Sequence, residues 1–175
     1  MRRGTKEIRK VFTGSREYYV YDLDKDFFGK TKRLYAATEG ELKEKIAVAE
    51  AERTAILETY RPVGKKLSDY VNFYFKCAVS QEAIPTIKKL TTLFENAVFN
   101  SPIDKNIDEI TQDEMQEFYN GAVLKFEQVN IDKLTDVLKK TFILAEEAGV
   151  ACQVDLSKIR KKVPAAGTLS TAYIM

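Results

Sequence analysis

The apolar pattern of the chain changes its period at Thr38, and this change limits the fold more than any other feature. Before Thr38, residues rich in Val, Ile, Tyr, Phe and Thr form three short runs, at 7–13, 17–23 and 30–37. The pair Gly14-Ser15 and the stretch 24–29 separate these runs and suit turns. The pattern predicts three strands that pair as an antiparallel sheet.

The segment that follows predicts one helix packed on this sheet. Thr38 and Glu41 have the spacing of a capping box, which opens a helix. Apolar residues then recur at three- to four-residue multiples, at Leu42, Ile46, Ala49, Ile56 and Tyr60. Because a three-stranded sheet is marginal by itself, we expect this stripe to cover one of its faces. The break at 61–66 (RPVGKK) ends a first domain, residues 1–61.

The rest of the chain predicts a second, all-helical domain at residues 62–155. One helix includes 68–75, and another begins near Pro85 and stops at 100–102 (NSP). The third opens with a capping box at Thr111, and the fourth runs from Asn130 to Gly149. The predicted fold class is therefore α+β followed by all-α, with a four-helix bundle. Residues 156–175 are expected to form a linker or tail.

The amino-acid composition excludes several classes of site. With 45% hydrophobic and 31% charged residues, the chain has an ordinary globular composition. It contains no histidine, which removes most zinc and iron sites and the nucleophile–histidine arrangements. Its two cysteines, Cys77 and Cys152, lie in apolar helical surroundings, where buried thiols are expected rather than a disulfide. We expect no catalytic residue, no metal site and no cofactor.

Basic charge is concentrated at the N-terminal end. Residues 1–37 hold ten Lys and Arg against five Asp and Glu, whereas residues 62–175 hold fourteen against fifteen. A basic segment of this kind is typical either of a surface that contacts phosphates or of a solvated face. If it contacts phosphates, the cationic candidates on the predicted strands are Arg9, Lys10, Arg16, Lys30, Lys32 and Arg33.

The order of these elements resembles the N-terminal half of phage and conjugative-transposon integrases, which are tyrosine recombinases. Residues 16–22 (REYYVYD), the turn before 30–33 (KTKR) and the acidic helix after Thr38 resemble the arm-binding domain of that family. Residues 107–118 (IDEITQDEMQEF) and 138–149 (LKKTFILAEEAG) resemble the third and fourth helices of its SAM-like core-binding domain. The resemblance covers residues 7–160, and the order and spacing of the motifs carry it.

The resemblance implies a protein that binds double-stranded DNA at arm-type and core-type sites during the integration and recombination of a mobile element. It implies a cytoplasmic, bacterial or phage-encoded protein that is monomeric alone and assembles on DNA with the full-length recombinase. The family's chemistry belongs to a further C-terminal domain, so this chain is expected to perform no catalysis. Tyr173 has no arginine cluster or histidine near it in sequence and is not expected to be a nucleophile.

The resemblance also implies that the second and fourth helices of the bundle face DNA. Lys65 and Lys66 are expected to follow the DNA backbone between the two domains. The candidates on the helices are Thr86, Lys88, Lys89, Asn130, Lys133, Lys139 and Lys140. The basic run 158–162 suits a strap leading to a further domain.

Two other functions fit the same residues. The chain could be a protein-interaction module that uses its aromatic residues to dock a partner and has no affinity for DNA. A small enzyme using paired carboxylates is the weakest alternative. The acidic stretch 104–117 lacks the ligand spacing of a calcium loop, and helix capping explains it better.

Overall fold

The structure is a computed structural model that describes residues 6–24, 31–79 and 84–165. The chain divides into two compact units, residues 1–60 and 61–175, which are described separately below. This division agrees to within one residue with the boundary predicted at 61. Within the described residues the fold combines a three-stranded antiparallel sheet with five α-helices, a mixed α+β composition.

The first unit contains the predicted sheet. Strand β1 is Arg9–Thr13, β2 is Arg16–Asp22 and β3 is Arg33–Ala36, and β2 lies in the centre with antiparallel partners on both sides. Gly14 has a φ of 66° in the two-residue connection between β1 and β2. The two-residue turns that suit β-hairpins need a positive φ at their first position, and glycine adopts it without strain.

One helix, α1 (Glu39–Tyr60), covers one face of the sheet. The Thr38 hydroxyl accepts a hydrogen bond from the Glu41 N–H at 3.2 Å, as the predicted cap requires. The core of this unit is Tyr21, Ala36 and Leu42, with Ile46 partly buried beside them. The apolar stripe is less buried than predicted, because only Leu42 is fully buried and Tyr60 is exposed.

The second unit contains the four predicted helices. They are α2 (Leu67–Val79), α3 (Ile84–Ala97), α4 (Gln112–Lys125) and α5 (Gln128–Glu147). Helix α5 packs against each of the other three and contributes nine buried residues, so it is the centre of the bundle. It begins two residues before the predicted start at Asn130.

The ends of these helices follow local sequence signals. Thr111 and Glu114 form the complete capping box of α4. At the end of α5, Gly149 has a φ of 90°, and the Val150 N–H donates to the Ala145 carbonyl at 3.0 Å. This left-handed ending is one that glycine favours. Asn100, with a φ of 61°, follows α3 in the same backbone region.

Two segments expected to be linkers are part of the helical unit. Around Lys65 and Lys66 the backbone pairs with 105–107, because the Ile107 N–H donates to the Lys65 carbonyl and the Leu67 N–H donates to the Lys105 carbonyl, both at 2.9 Å. The segment after α5 buries Leu156 and Ile159. Only residues 166–175 of the predicted tail lie outside the described residues.

No helix among the described residues is long and apolar enough to cross a membrane.

Candidate nucleic-acid interface

The face of the sheet opposite α1 carries most of the cationic strand residues. Residues paired directly across an antiparallel sheet share a face, so the strand register assigns each side chain. This face, called the open face below, consists of Arg9, Val11, Thr13, Arg16, Tyr18, Val20, Asp22, Arg33 and Tyr35. It bears three arginines and one carboxylate. The opposite face bears one lysine and one glutamate in the strands, so the charge of the sheet is concentrated on the open side.

Two of the arginines on the open face share the one carboxylate. Arg33 lies directly across from Asp22, and its Nε and Nη2 donate to the two carboxylate oxygens at 2.6 and 3.3 Å. Arg9, on the other outer strand, donates from Nη2 to Asp22 Oδ2 at 2.5 Å. Chiefly because of Arg33, the pKa of Asp22 is lowered from its usual value. The carboxylate is therefore charged at neutral pH and links all three strands.

Lys10 lies on the opposite side of the sheet from these arginines. Its ammonium group is 3.0 Å from Glu17 and 5.3 Å from the ring centroid of Tyr19. Both partners are on the face that α1 covers. The six basic residues predicted on the sheet therefore do not form one surface.

The remaining predicted contacts of this unit are exposed where the structure describes them. Arg16 is exposed at the start of β2 on the open face. Lys32 is exposed just before β3, where its carbonyl accepts from the Leu23 N–H at 3.0 Å. Lys30 lies outside the described residues. Beside these cations, Val11 and Tyr35 are 41% and 54% exposed, so the open face offers apolar contacts as well as charge.

In the second unit, the two helices predicted to face DNA are packed neighbours, α3 and α5. On α3, the residues Thr86, Lys88 and Lys89 are all exposed. The two lysines point about 100° apart around the helix axis, so they border different edges of its solvent-facing side.

The predicted residues on α5 have different environments. Lys133 and Lys139 are exposed, and Asn130 is half-buried. Lys140 is also half-buried and forms an ion pair with Asp136, one turn away, at 2.7 Å. The cations of α5 therefore alternate with carboxylates, which reduces the field that this helix presents to a phosphate backbone.

Lys65 and Lys66 keep exposed side chains although their backbone is fixed by 105–107. Asp69 accepts from the Lys66 N–H at 3.0 Å and holds this turn against the start of α2. Their position is thus set by the helical unit rather than by a free linker.

A further basic element is the segment 155–163, which three glutamine side chains hold against the bundle. Each glutamine both accepts from a backbone N–H of the segment and donates to one of its carbonyls. Gln112 bonds both groups of Asp155, at 2.8 and 3.0 Å, and Gln116 bonds both groups of Arg160, at 2.9 and 3.2 Å. Gln128 accepts from Val163 at 2.8 Å and donates to Lys161 at 3.1 Å.

This arrangement orders the basic run. A primary amide reproduces the donor and acceptor of a peptide group, so each glutamine can bond both a backbone N–H and a backbone carbonyl of the segment. Lys158, Arg160 and Lys162 remain exposed. Lys161 turns inward, and its ammonium group donates to the Leu156 carbonyl. Burial, and then the nearby charge of Lys139, lower the pKa of Lys161.

Sequence reasoning missed two features of these surfaces. The partners of Asp22 depend on the register of β2 with β1 and β3, which the sequence pattern does not give. The three glutamines carried no signal, because each bonds a segment that is 33 to 44 residues away. One sequence signal for the fixed segment was present: Leu156 and Ile159 are apolar and three residues apart, and the structure buries both of them.

Other chemistry has little structural support among the described residues. Within 6–24, 31–79 and 84–165, no group of three or more Asp, Glu, Cys or His side chains could hold a metal ion. Burial, followed by the charges of Glu146 and Asp108, raises the pKa of the Cys152 thiol to about 11, which keeps it protonated and unreactive. Tyr173 lies outside the described residues.

No protein-family model, no curated protein and no solved structure matches the chain.

Proposed function

We propose that this chain binds double-stranded DNA sequence-specifically and performs no catalysis itself, as the DNA-binding region of a site-specific recombinase of the integrase type. In this proposal the first unit binds arm-type sites, and the second is the SAM-like core-binding bundle. The chain acts in the cytoplasm of a bacterial host, as a monomer when free and with the full-length recombinase on DNA.

The open face of the sheet is the observation that supports this proposal most directly. Its three arginines face the same way as Val11, Tyr18 and Tyr35, and one carboxylate opposes them. Long cationic side chains beside apolar and hydroxyl groups are the combination that contacts both phosphates and base edges. Because α1 covers the other face, only the open face can present a continuous sheet surface to a duplex.

The dimensions of the sheet fit a groove. Three strands with spacings of about 4.8 Å measure roughly 10 Å between the outer strand axes. The major groove of B-DNA is about 12 Å wide. A sheet of this width can therefore enter the groove with its open face toward the bases, while the outer strands lie near the two phosphate backbones.

The second unit is expected to contribute less electrostatic affinity. Residues 62–175 are nearly neutral, and Lys140 is paired with Asp136. Non-specific affinity increases with the number of phosphates neutralised. The cations of the second unit are therefore proposed to position the duplex rather than to dominate binding. They are Lys88, Lys89, Lys133 and Lys139, with the ordered cations at 158–162.

Fluorescence anisotropy with a labelled random-sequence duplex tests the proposal on the full chain. If about six phosphates are neutralised, the affinity should fall by roughly three orders of magnitude between about 50 and 200 mM salt. Absence of binding at the lower salt concentration would contradict it.

One observation favours the alternative, a protein-interaction module. A groove of about 350 Å³ lies between the end of α3 and α4, and its lining includes Ile103, Phe118, Ala122 and Phe126. Its lining also includes Asn96, Glu117 and Lys125, so the groove offers both apolar and charged contacts to the side chains of a partner. Under this alternative the chain would show no salt-dependent affinity for a duplex, so the same titration separates the two functions.

A further inference from the structure

Asp22 occupies an unusual position for a carboxylate on a proposed DNA-binding surface. It lies on the central strand, on the open face, with an arginine from each outer strand directed at it. A carboxylate here repels phosphates and cancels part of the charge that would attract them. If affinity for the DNA backbone alone determined this surface, the position would favour a neutral or basic residue.

The geometry of the ion pairs leaves the arginines able to bind a base. Arg33 uses Nε and Nη2, the side edge of its guanidinium, to hold Asp22. The end edge, formed by Nη1 and the second N–H of Nη2, is not used by the carboxylate. That end edge can bind the two acceptors, O6 and N7, that guanine presents in the major groove.

Holding the guanidinium also reduces the entropic cost of binding. A free arginine side chain must lose rotamer freedom when it binds a base, and this loss opposes binding. The side chains of Arg9 and Arg33 are 54% and 51% exposed, so neighbouring groups do not confine them by burial. The strand register places both arginines on the open face, and the ion pairs with Asp22 restrain their guanidinium groups there.

We infer that Asp22 is a specificity-determining positioning residue: it orients Arg33 and Arg9 so that they recognise guanine in the major groove. This inference rests on the proposed DNA-binding function and specifies which bases the open face reads. It implies that Asp22 lowers non-specific affinity while it increases discrimination between sequences. A residue that only stabilised the sheet or neutralised charge would not have these opposite effects.

The test compares two duplexes with three forms of the full chain. A random-sequence duplex pool is first selected with the unsubstituted chain, and the enriched duplex and the unselected pool then serve as probes. Asp22→Ala should bind the unselected pool at least as tightly as the unsubstituted chain, because one repulsive charge is gone. Its preference for the enriched duplex should fall by about tenfold or more, since a good bidentate contact discriminates by that order.

Asp22→Asn provides a second variant that preserves side-chain size. It keeps one acceptor oxygen but loses the charge, so an intermediate loss of preference is expected. The inference is overturned if both variants bind the two probes more tightly by the same factor, because Asp22 would then act only as a counter-charge. It is also overturned if the selection enriches no guanine-containing sequence, even where salt-dependent binding to the pool supports the proposed function. Absence of binding to any duplex would instead contradict the proposed function itself.

Discussion

The side-chain amide of Gln116 forms hydrogen bonds to both backbone groups of Arg160, which is 44 residues further along the chain. Because Gln112 and Gln128 bond the same segment in this way, the basic run after α5 leaves the bundle along a fixed path. The segment therefore has a structural reason to be ordered, although its composition is typical of a linker.

The amide hydrogens of this segment should depend on the glutamines. Gln116→Leu removes both hydrogen bonds to Arg160, whereas Gln116→Glu keeps an acceptor for the Arg160 N–H. We expect hydrogen exchange at the Arg160 amide to be faster in the leucine variant and less affected in the glutamate variant. The thermal midpoint of the leucine variant should fall by a few degrees, because it loses two exposed hydrogen bonds that contribute about 0.5–1 kcal/mol each. Equal exchange rates in all three proteins would show that the glutamine does not hold the segment.

Two threonines of α5 should respond in opposite directions to the same substitution. Thr135 donates to the Ile131 carbonyl at 2.8 Å, so its oxygen accepts from the Tyr119 hydroxyl at 2.9 Å. Thr135→Val leaves that buried hydroxyl without a partner and should lower the free energy of unfolding by about 1–3 kcal/mol. The hydroxyl of Thr141 is fully buried and has no partner among the described residues. Thr141→Val should therefore be neutral or raise the free energy of unfolding by up to about 1 kcal/mol.

Urea titration of both variants measures this difference. Because the two sites are on one helix and undergo the same chemical change, helix propensity cancels between them. A larger loss of stability in Thr141→Val than in Thr135→Val would contradict these assignments.

The stability of the second unit should depend on Tyr119 at high pH. Burial raises the pKa of Tyr119 to about 12, and the hydrogen bond to Thr135 offsets this rise only in part. Since the folded protein holds the phenol neutral, Tyr119 makes its full contribution to the free energy of unfolding below its unfolded-state pKa of about 10. This contribution is lost as the pH rises toward 12. Over that range it amounts to roughly 2 kcal/mol.

Tyr119→Phe isolates this effect from other titrating groups. Near neutral pH the variant should be less stable than the unsubstituted chain by about 1 kcal/mol, from the lost hydrogen bond. The difference should shrink and then reverse as the pH rises from 9 to 12. Urea titrations across this interval measure it, and a difference that stays constant would show that Tyr119 is not held neutral.

An added methyl group should have opposite effects on stability at two glycines, Gly64 and Gly121. A Cβ at Gly64 would lie 2.0 Å from Asp69 Oδ2, the atom that accepts from the Lys66 N–H. Gly64→Ala should displace this carboxylate and destabilise the chain by about 1 kcal/mol. Gly121 is exposed within α4, and a Cβ there meets nothing within 4 Å. Gly121→Ala should therefore stabilise the chain by about 0.5–1 kcal/mol, through helix propensity. Thermal denaturation distinguishes stabilisation from destabilisation. A Gly64→Ala variant more stable than the unsubstituted chain would contradict the close approach of this Cβ to Asp69.

The elements of the fold were predictable where the signal was local. The capping boxes at Thr38 and Thr111 and the ending at Gly149 act within four residues, and the structure contains helix boundaries near each of them. The pairing of 65–67 with 105–107 depends on backbone contacts between distant segments. No periodicity encodes such pairing, which is why this stretch was expected to be a linker.

The candidate site was predictable in composition but not in geometry. Because side chains alternate along a strand, Val20 and Asp22 lie on one side of β2, yet the partners of Asp22 depend on how β1 and β3 align with β2. One position of slip would place Lys10 rather than Arg9 on the open face. Of the predicted cations, Arg9, Lys10, Arg16 and Arg33 lie on strands, Lys32 precedes β3, and the register separates Lys10 from the arginines.

The most direct test of the central claim compares the open face of the sheet with α1 on its other side. Arg9→Gln/Arg16→Gln removes two charges from the open face, and Lys43→Gln/Lys45→Gln removes the same charge from α1. Anisotropy titrations with a labelled random-sequence duplex at several salt concentrations should give weaker binding for the arginine variant, by at least about tenfold at low salt. Its salt dependence should be smaller by about one phosphate contact, that of Arg16, because Arg9 is assigned to base recognition, and the lysine variant should stay close to the unsubstituted chain. Equal losses in the two variants, or a larger loss in the lysine variant, would contradict the assignment of the open face as the DNA-binding surface.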